Sequence, residues 1–204
     1  MEFWHETLTQ KSWNILLDLK KKSFTFILIG GWAAYLWTRL HKSKDVDIVL
    51  QNMTDLDFLK GNYALKKNDS LKKYEISFED IDVDIYVPYY SKLAIPPEDL
   101  KKFMTRIEGI DVAIPEALLV LKQGAEEDRE HSIKGEKDRI DIMALVLFAN
   151  VNFKKYDEIL SAYKLVHYRQ RLKHIIAAFK SGEYLGLNLR ELTLRKKELL
   201  EKLG

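Results

Sequence analysis

Apolar and polar positions change rhythm near residue 112, from strand-length runs and alternations to repeats of three and four residues. The opening segment, residues 6–22, is the early exception. It places Leu8, Trp13, Leu16, Leu17 and Lys20 at helical spacing and ends in the Lys20–Lys22 cluster, which suits the negative end of a helix dipole. FTFILI, from Phe24 to Ile29, is then a continuous run of β-branched and aromatic residues, the composition of a buried strand. Gly30 and Gly31 close it. WAAYLWTRLH continues as a helix with Trp32, Leu36 and Leu40 at four-residue steps, and DVDIVL returns to strand. Asp55 to Leu59 predicts a short helix, YALKKN a strand, KKYEISF and IDVDIYV a hairpin, and MTRIEGIDVAI a second hairpin around Gly109.

Pro115 stands where a helix begins, and PEALLVLKQGAEEDRE and EKDRIDIMALVLFAN both carry helical spacing. From Tyr156 to Leu203 the pattern stays helical, apart from a turn at SGEYLGLN. The expected fold class is therefore α/β (α+β). A mixed, twisted sheet of four to six strands over residues 1–112 is followed by a helical C-terminal region over 113–204. Trp4, Trp13, Trp32 and Trp37 sit among apolar neighbours, and core packing is expected for at least three of them.

Composition narrows the class. With 47% apolar residues, the 204-residue chain can bury a sizeable core. The lack of cysteine excludes disulfides and thiolate metal sites. No apolar run reaches the ~20 residues of a membrane span, and MEFWHETLTQ is too polar for a secretory leader. A cytoplasmic protein with no membrane partner is expected. Charge is uneven: residues 151–204 carry 12 Lys+Arg against 6 Asp+Glu, whereas residues 1–150 carry 21 against 25. The dense basic stretch His167–His174 makes the C-terminal helices a candidate surface for an RNA backbone. The five histidines show no metal-ligand spacing.

The aspartates set inside apolar runs carry the chemistry. Alternate side chains of a strand share a face, so Asp45 and Asp47 point one way while Val46 and Ile48 point into the core. IDVDIYV repeats the pattern, with Asp82, Asp84 and Tyr86 on one face. If the two strands are neighbours, three or four carboxylates converge, a costly arrangement unless cations neutralise it. Oxygen donors in that number suit Mg²⁺ or Mn²⁺. A strand ending in Gly30-Gly31 before a helix offers an anion site built from backbone N–H groups. Metal-binding carboxylates beside a phosphate-binding turn point to phosphoryl or nucleotidyl transfer.

The stretch GGWAAYLWTRLHKSKDVDIVL resembles the signature of the DNA polymerase beta-like nucleotidyltransferase superfamily, with IDVDIYV in the place of its third carboxylate. These motifs cover residues 26–87. Ile110 to Lys122, then Arg129, then Lys137-Asp138 and Asp141-Ile142, are similar to the abortive-infection type branch and also resemble the small antibiotic-modifying and minimal nucleotidyltransferases. Residues 150–204 match no family pattern. The resemblance implies an NTP substrate, Mg²⁺ or Mn²⁺ as cofactor, and transfer of an NMP to a hydroxyl with release of pyrophosphate. A toxin–antitoxin setting is part of what the branch implies. Gly30 and Gly31 would hold the triphosphate, with Ser43 donating to a phosphate oxygen. Asp45 and Asp47 would ligate the metals. The third carboxylate is Asp84 by preference, with Asp82 replacing or supporting it. Among Lys134, Lys137, Asp138 and Asp141, a lysine would reach the triphosphate and an aspartate orient it. Arg129 shares that ambiguity, and Lys122 is equally readable as a lysine snorkelling from an apolar helix face. The acceptor is expected to be a small-molecule or protein hydroxyl, ahead of an RNA 3′ end; the competing class is a non-catalytic nucleotide-binding or interaction protein of the same fold.

Overall fold

The computed structural model describes residues 4–204. Helix α1 (Glu6–Lys20) turns Thr9, Ser12, Leu16 and Leu19 inward, so its buried stripe is displaced from the predicted one and Leu17 lies only half inside. Ser12 can be buried because its hydroxyl accepts a hydrogen bond from the indole Nε1 of Trp32, at 2.7 Å. Trp32 is fully buried, Trp13 and Trp37 pack partly buried against the core, and Trp4 lines a cleft.

Strand β1 (Phe26–Ile29) feeds directly into α2 (Gly30–Thr38). The helix stops one turn short of the sequence expectation. Arg39 adopts a left-handed conformation (φ 58°) and donates its N–H to Tyr35 O, which leaves Leu40 outside the helix. Strands β2 (Val46–Leu50), β3 (Lys66–Asn68), β4 (Lys73–Phe78), β5 (Ile81–Tyr86), β6 (Met104–Ile107) and β7 (Ile110–Ala113) follow, with α3 (Asp55–Asn62) between β2 and β3.

Among the described residues one seven-stranded mixed sheet forms, in the order β3-β4-β5-β2-β1-β7-β6. The expected four to six strands are too few. The β6–β7 hairpin does not stand apart but pairs with β1, in parallel, at Leu28 opposite Val112. β2 runs antiparallel to β1 and parallel to β5, so the strand that bears Asp47 lies between the one that leads into Gly30 and the one that bears Asp84. Ile48, Val83 and Ile85 are fully buried on the far face of those strands. Each contributes roughly 1.5–3 kcal/mol of apolar burial, which fixes the register and with it the position of every polar residue on the opposite face.

The rest is helical: α4 (Pro115–Asp128), α5 (Ile133–Phe148), α6 (Phe153–Ala162), α7 (His167–Ala178) and α8 (Leu189–Lys202). α4 begins with Pro at its first position and is buried without a break from Pro115 to Gln123, because α2, α5, α6 and α7 surround it. None of the described helices is long and apolar enough to cross a membrane.

So central a helix must satisfy its polar side chains internally. Gln123 is fully buried, accepts the Tyr156 hydroxyl on Oε1 and donates Nε2 to Tyr168 O at 2.8 Å, which ties α4 to α6 and α7. Tyr156→Phe orphans that amide oxygen and is expected to cost about 1–3 kcal/mol in urea denaturation. A loss below ~0.5 kcal/mol would show that this bond does not hold the helical layer.

Candidate active site

The site starts at the junction of β1 and α2. Gly30 has φ +67°, and a Cβ there would stand 2.0 Å from Asp47 Oδ2. A Cβ on Gly31 would stand 2.6 Å from Ser43 Oγ. The two glycines therefore do more than free the backbone for a ligand, since they vacate the space that the Asp47 and Ser43 side chains occupy. No side chain caps the N-terminus of α2, so its first N–H groups are left for another acceptor.

Asp45 immediately precedes β2, and Asp47 lies within it. Asp47 is paired with Ile29 on one side and with Asp84 on the other. Adjacent strands are about 4.8 Å apart, so the Asp47 and Asp84 side chains stand next to each other on one face. Burial and the like charge of Asp45 hold the Asp47 carboxyl above its ordinary range, against the pull of Lys122, Arg129 and Lys73. Burial, then the charge of Asp47, push Asp84 up to about 6, against Lys73. Lys73 Nζ donates to Asp84 Oδ2 at 2.6 Å and sits 3.0 Å from Glu75 Oε1. Asp82 behaves differently. It is exposed, accepts from Ser77 Oγ at 2.9 Å and does not line the cleft, although its N–H reaches Asp45 Oδ1 at 3.4 Å.

The cleft has a volume of about 680 Å³, and its wall opposite the aspartates comes from α4 and α5. There Lys122 and Lys137 are buried among carboxylates. Lys122 Nζ lies 3.0 Å from Asp138 Oδ1 and 2.7 Å from Asp141 Oδ2. Lys137 pairs with the other Asp141 oxygen, and Arg129 Nη2 lies 2.6 Å from Asp138 Oδ2. The snorkelling alternative for Lys122 is thus wrong, because its ammonium stays inside, held by two carboxylates. Burial would raise the Asp141 pKa, but Lys122 and Lys137 outweigh it and keep the carboxyl below its ordinary range. Burial also lowers the Lys137 ammonium. Three cations on two carboxylates leave this wall with a positive surplus, turned toward Asp47. Lys134 is exposed, with Nζ 4.0 Å from Asp45 Oδ2.

The basic stretch His167–His174 is spent within the protein. Arg169 pairs with Asp157 and donates to Leu203 O, Arg171 Nη2 lies 2.6 Å from Glu126 Oε2, and Lys173 donates to Gly204 O. His167 Nε2 is 4.0 Å from Glu127 Oε1. Of that stretch, Tyr168 is the member that lines the cleft. These contacts place Arg169, Arg171 and Lys173 at the seams that α7 forms with α4, α6 and α8.

Among the described residues no three His, Asp or Glu side chains already converge as a cage for a divalent ion. The donor set is nonetheless right in kind: hard carboxylate oxygens on Asp45, Asp47 and Asp84, of which Asp47 and Asp84 are held above their ordinary range first by burial and then by neighbouring carboxylates. A lysine stands beside Asp84 and another near Asp45, where an ion would supply positive charge. Lys73 escaped the sequence reading. Strand parity within KKYEISF would have placed Lys73 and Glu75 on the aspartate face.

Asp47 carries the clearest test of this electrostatics. A carboxyl with a raised folded pKa favours the folded state below its unfolded value and loses that contribution as pH rises through the folded value. Asp47→Asn removes the repulsion, so its thermal midpoint at pH 7 is expected to exceed that of the wild type. The difference should shrink to nothing as pH falls below ~4, where both forms are neutral. A variant less stable than wild type at pH 7 would show that Asp47 is held by attraction.

No family model matches the chain, and neither does any curated protein. Solved structures do. JHP933 from Helicobacter pylori is 17% identical, with a TM-score of 0.51 over 98% of this chain and 94% of that one. ANT(2")-Ia, solved in complex with adenylyl-2"-tobramycin, is 13% identical, with a TM-score of 0.51 over 78% of this chain and 97% of that one. An antigenic nucleotidyltransferase-like protein from Paracoccidioides brasiliensis is 18% identical at a TM-score of 0.44, over 88% of this chain and 97% of that one. The likeness is one of fold alone: at low identity, the mixed sheet and following helices resemble those of JHP933 and ANT(2")-Ia.

Proposed function

We propose that the protein is a metal-dependent nucleotidyltransferase that moves an NMP from an NTP to a hydroxyl of a small molecule or protein and releases pyrophosphate. The observation that carries this reading is the pairing of Asp47 with Asp84 on parallel neighbouring strands, directly beside the Gly30–Gly31 helix N-terminus. The triphosphate lies against the uncapped N–H groups of α2 and takes a hydrogen bond from Ser43. Lys137 and Lys134, with Lys122 and Arg129 behind, face its negative charge, and Asp138 orients the cationic group. Asp45, Asp47 and Asp84 would hold Mg²⁺ or Mn²⁺, which would lower the acceptor's pKa and neutralise the leaving pyrophosphate.

In the transfer step the acceptor oxygen bonds to the α-phosphorus, the bond from that phosphorus to the bridging oxygen breaks, and pyrophosphate departs with the electron pair. The acceptor's proton passes to Asp84, the carboxylate on the strand next to that of Asp47. A small acceptor is supported on two counts. The basic side chains of α7 are engaged within the protein. ANT(2")-Ia, of similar fold, was solved with an adenylylated molecule, adenylyl-2"-tobramycin.

Incubation with each labelled NTP, Mg²⁺ and a cell extract, followed by separation of small molecules, protein and RNA, tests the class and the acceptor together. Label is expected in the small-molecule or protein fraction, and label confined to RNA 3′ ends would reverse the acceptor. Asp45→Asn, Asp47→Asn and Asp84→Asn should each lower turnover by at least ~100-fold while circular dichroism is unchanged. Asp82→Asn should stay within a few-fold. Near-normal turnover in the first three would overturn the assignment.

A further inference from the structure

The register of the sheet puts a third carboxylate in line with the two already described. Asp47 on β2 is opposite Asp84 on β5, and Asp84 is in turn opposite Glu75 on β4. Three acidic side chains thus stand in a row across three neighbouring strands, on the face that opens into the cleft. Lys73 lies two residues before Glu75 and so shares that face. Its ammonium bridges Asp84 Oδ2 at 2.6 Å and Glu75 Oε1 at 3.0 Å, and Asn68 Nδ2 donates to the same Glu75 oxygen at 3.1 Å.

Resting on the transfer reading above, we propose that Lys73 is a positioning residue that acts as the resident counter-cation of this row, competes with divalent metal for Asp84, and so couples metal loading to nucleotide binding. A divalent ion that uses Asp84 must take over the oxygen now held by Lys73, and the two positive charges repel at close range. Without nucleotide, the ion gains too few ligands to displace the lysine. With nucleotide, phosphate oxygens add ligands to the ion and offer the released ammonium a new partner, so metal and nucleotide bind with positive coupling. A lysine placed only to neutralise Glu75 predicts no such coupling.

The test is Mn²⁺ binding, followed by electron paramagnetic resonance, with and without an NTP analogue whose α,β bridge cannot be cleaved. In the wild type, Mn²⁺ alone is expected to bind weakly and the analogue to strengthen it. In Lys73→Met, Mn²⁺ alone should bind at least about tenfold more tightly, and the enhancement by the analogue should shrink. Lys73→Gln, which keeps polar contacts without the charge and preserves the test if the methionine variant fails to fold, should move the same way. Lys73→Arg, which restores the charge, should return to weak binding. Wild-type or weaker Mn²⁺ affinity in both uncharged variants, while the wild type still binds Mn²⁺ with the analogue, would overturn the role of Lys73 alone. No Mn²⁺ bound by the wild type even with the analogue would overturn the transfer reading and this proposal with it.

Discussion

Two carboxylates held side by side on neighbouring strands repel each other, and here the backbone leaves them no way apart. The β2–β5 pairing puts Asp47 level with Asp84, and that pairing is fixed by Ile48, Val83 and Ile85 on the opposite face. Slipping the register by one residue would relieve the repulsion only by exposing those side chains to water. The site is therefore built on a repulsion that the core enforces. Much of the surrounding structure offsets it: Lys73 on β4, the Lys122 and Arg129 charges from the helical wall, and the space that Gly30 leaves for the Asp47 side chain.

The α4–α5 wall has its own balance. Lys122 and Lys137 are nearly inaccessible, and buried charges of that kind persist only when well paired. Asp138 and Asp141 pair them, and Arg129 adds a third cation at the rim. Two opposite shortages thus face each other across one cleft: excess negative charge on the sheet and excess positive charge on the helices. The metal–triphosphate complex of the proposed reaction would carry the complementary pair of charges. The ordering of α4 by Gln123 and Tyr156 belongs to the same economy of charge and space, since it fixes the helix that bears Lys122.

The sequence displayed the strands and the facing of their aspartates, because period-two alternation states directly which side chains share a face. IDVDIYV was legible for that reason, and Gly30–Gly31 stood out as a break between an apolar run and a helix. The purpose of the glycines was only partly legible. That their missing Cβ atoms admit Asp47 and Ser43 depends on the antiparallel β1–β2 contact, which local pattern does not encode. Lys73 and Glu75 were hidden by ordinariness, as charged residues on an alternating strand look like a solvated face until the pairing with Asp84 is known. The internal partners of the stretch His167–His174 were hidden for a different reason. Its charge density is real, but its partners Glu126, Asp157 and the C-terminal carbonyls come from distant parts of the chain. Strand number was underestimated because the long-range pairing of the Gly109 hairpin with β1 leaves no local trace.

The most direct measurement is a crystal structure with Mn²⁺ and an uncleavable NTP analogue, with the ion located by its anomalous scattering. The account predicts Mn²⁺ within ~2.3 Å of oxygens from Asp47 and Asp84, with Asp45 completing the protein's share, and the triphosphate against the N–H groups of Gly30 and Gly31. A nucleotide bound outside this cleft, or Mn²⁺ held without either Asp47 or Asp84, would contradict it.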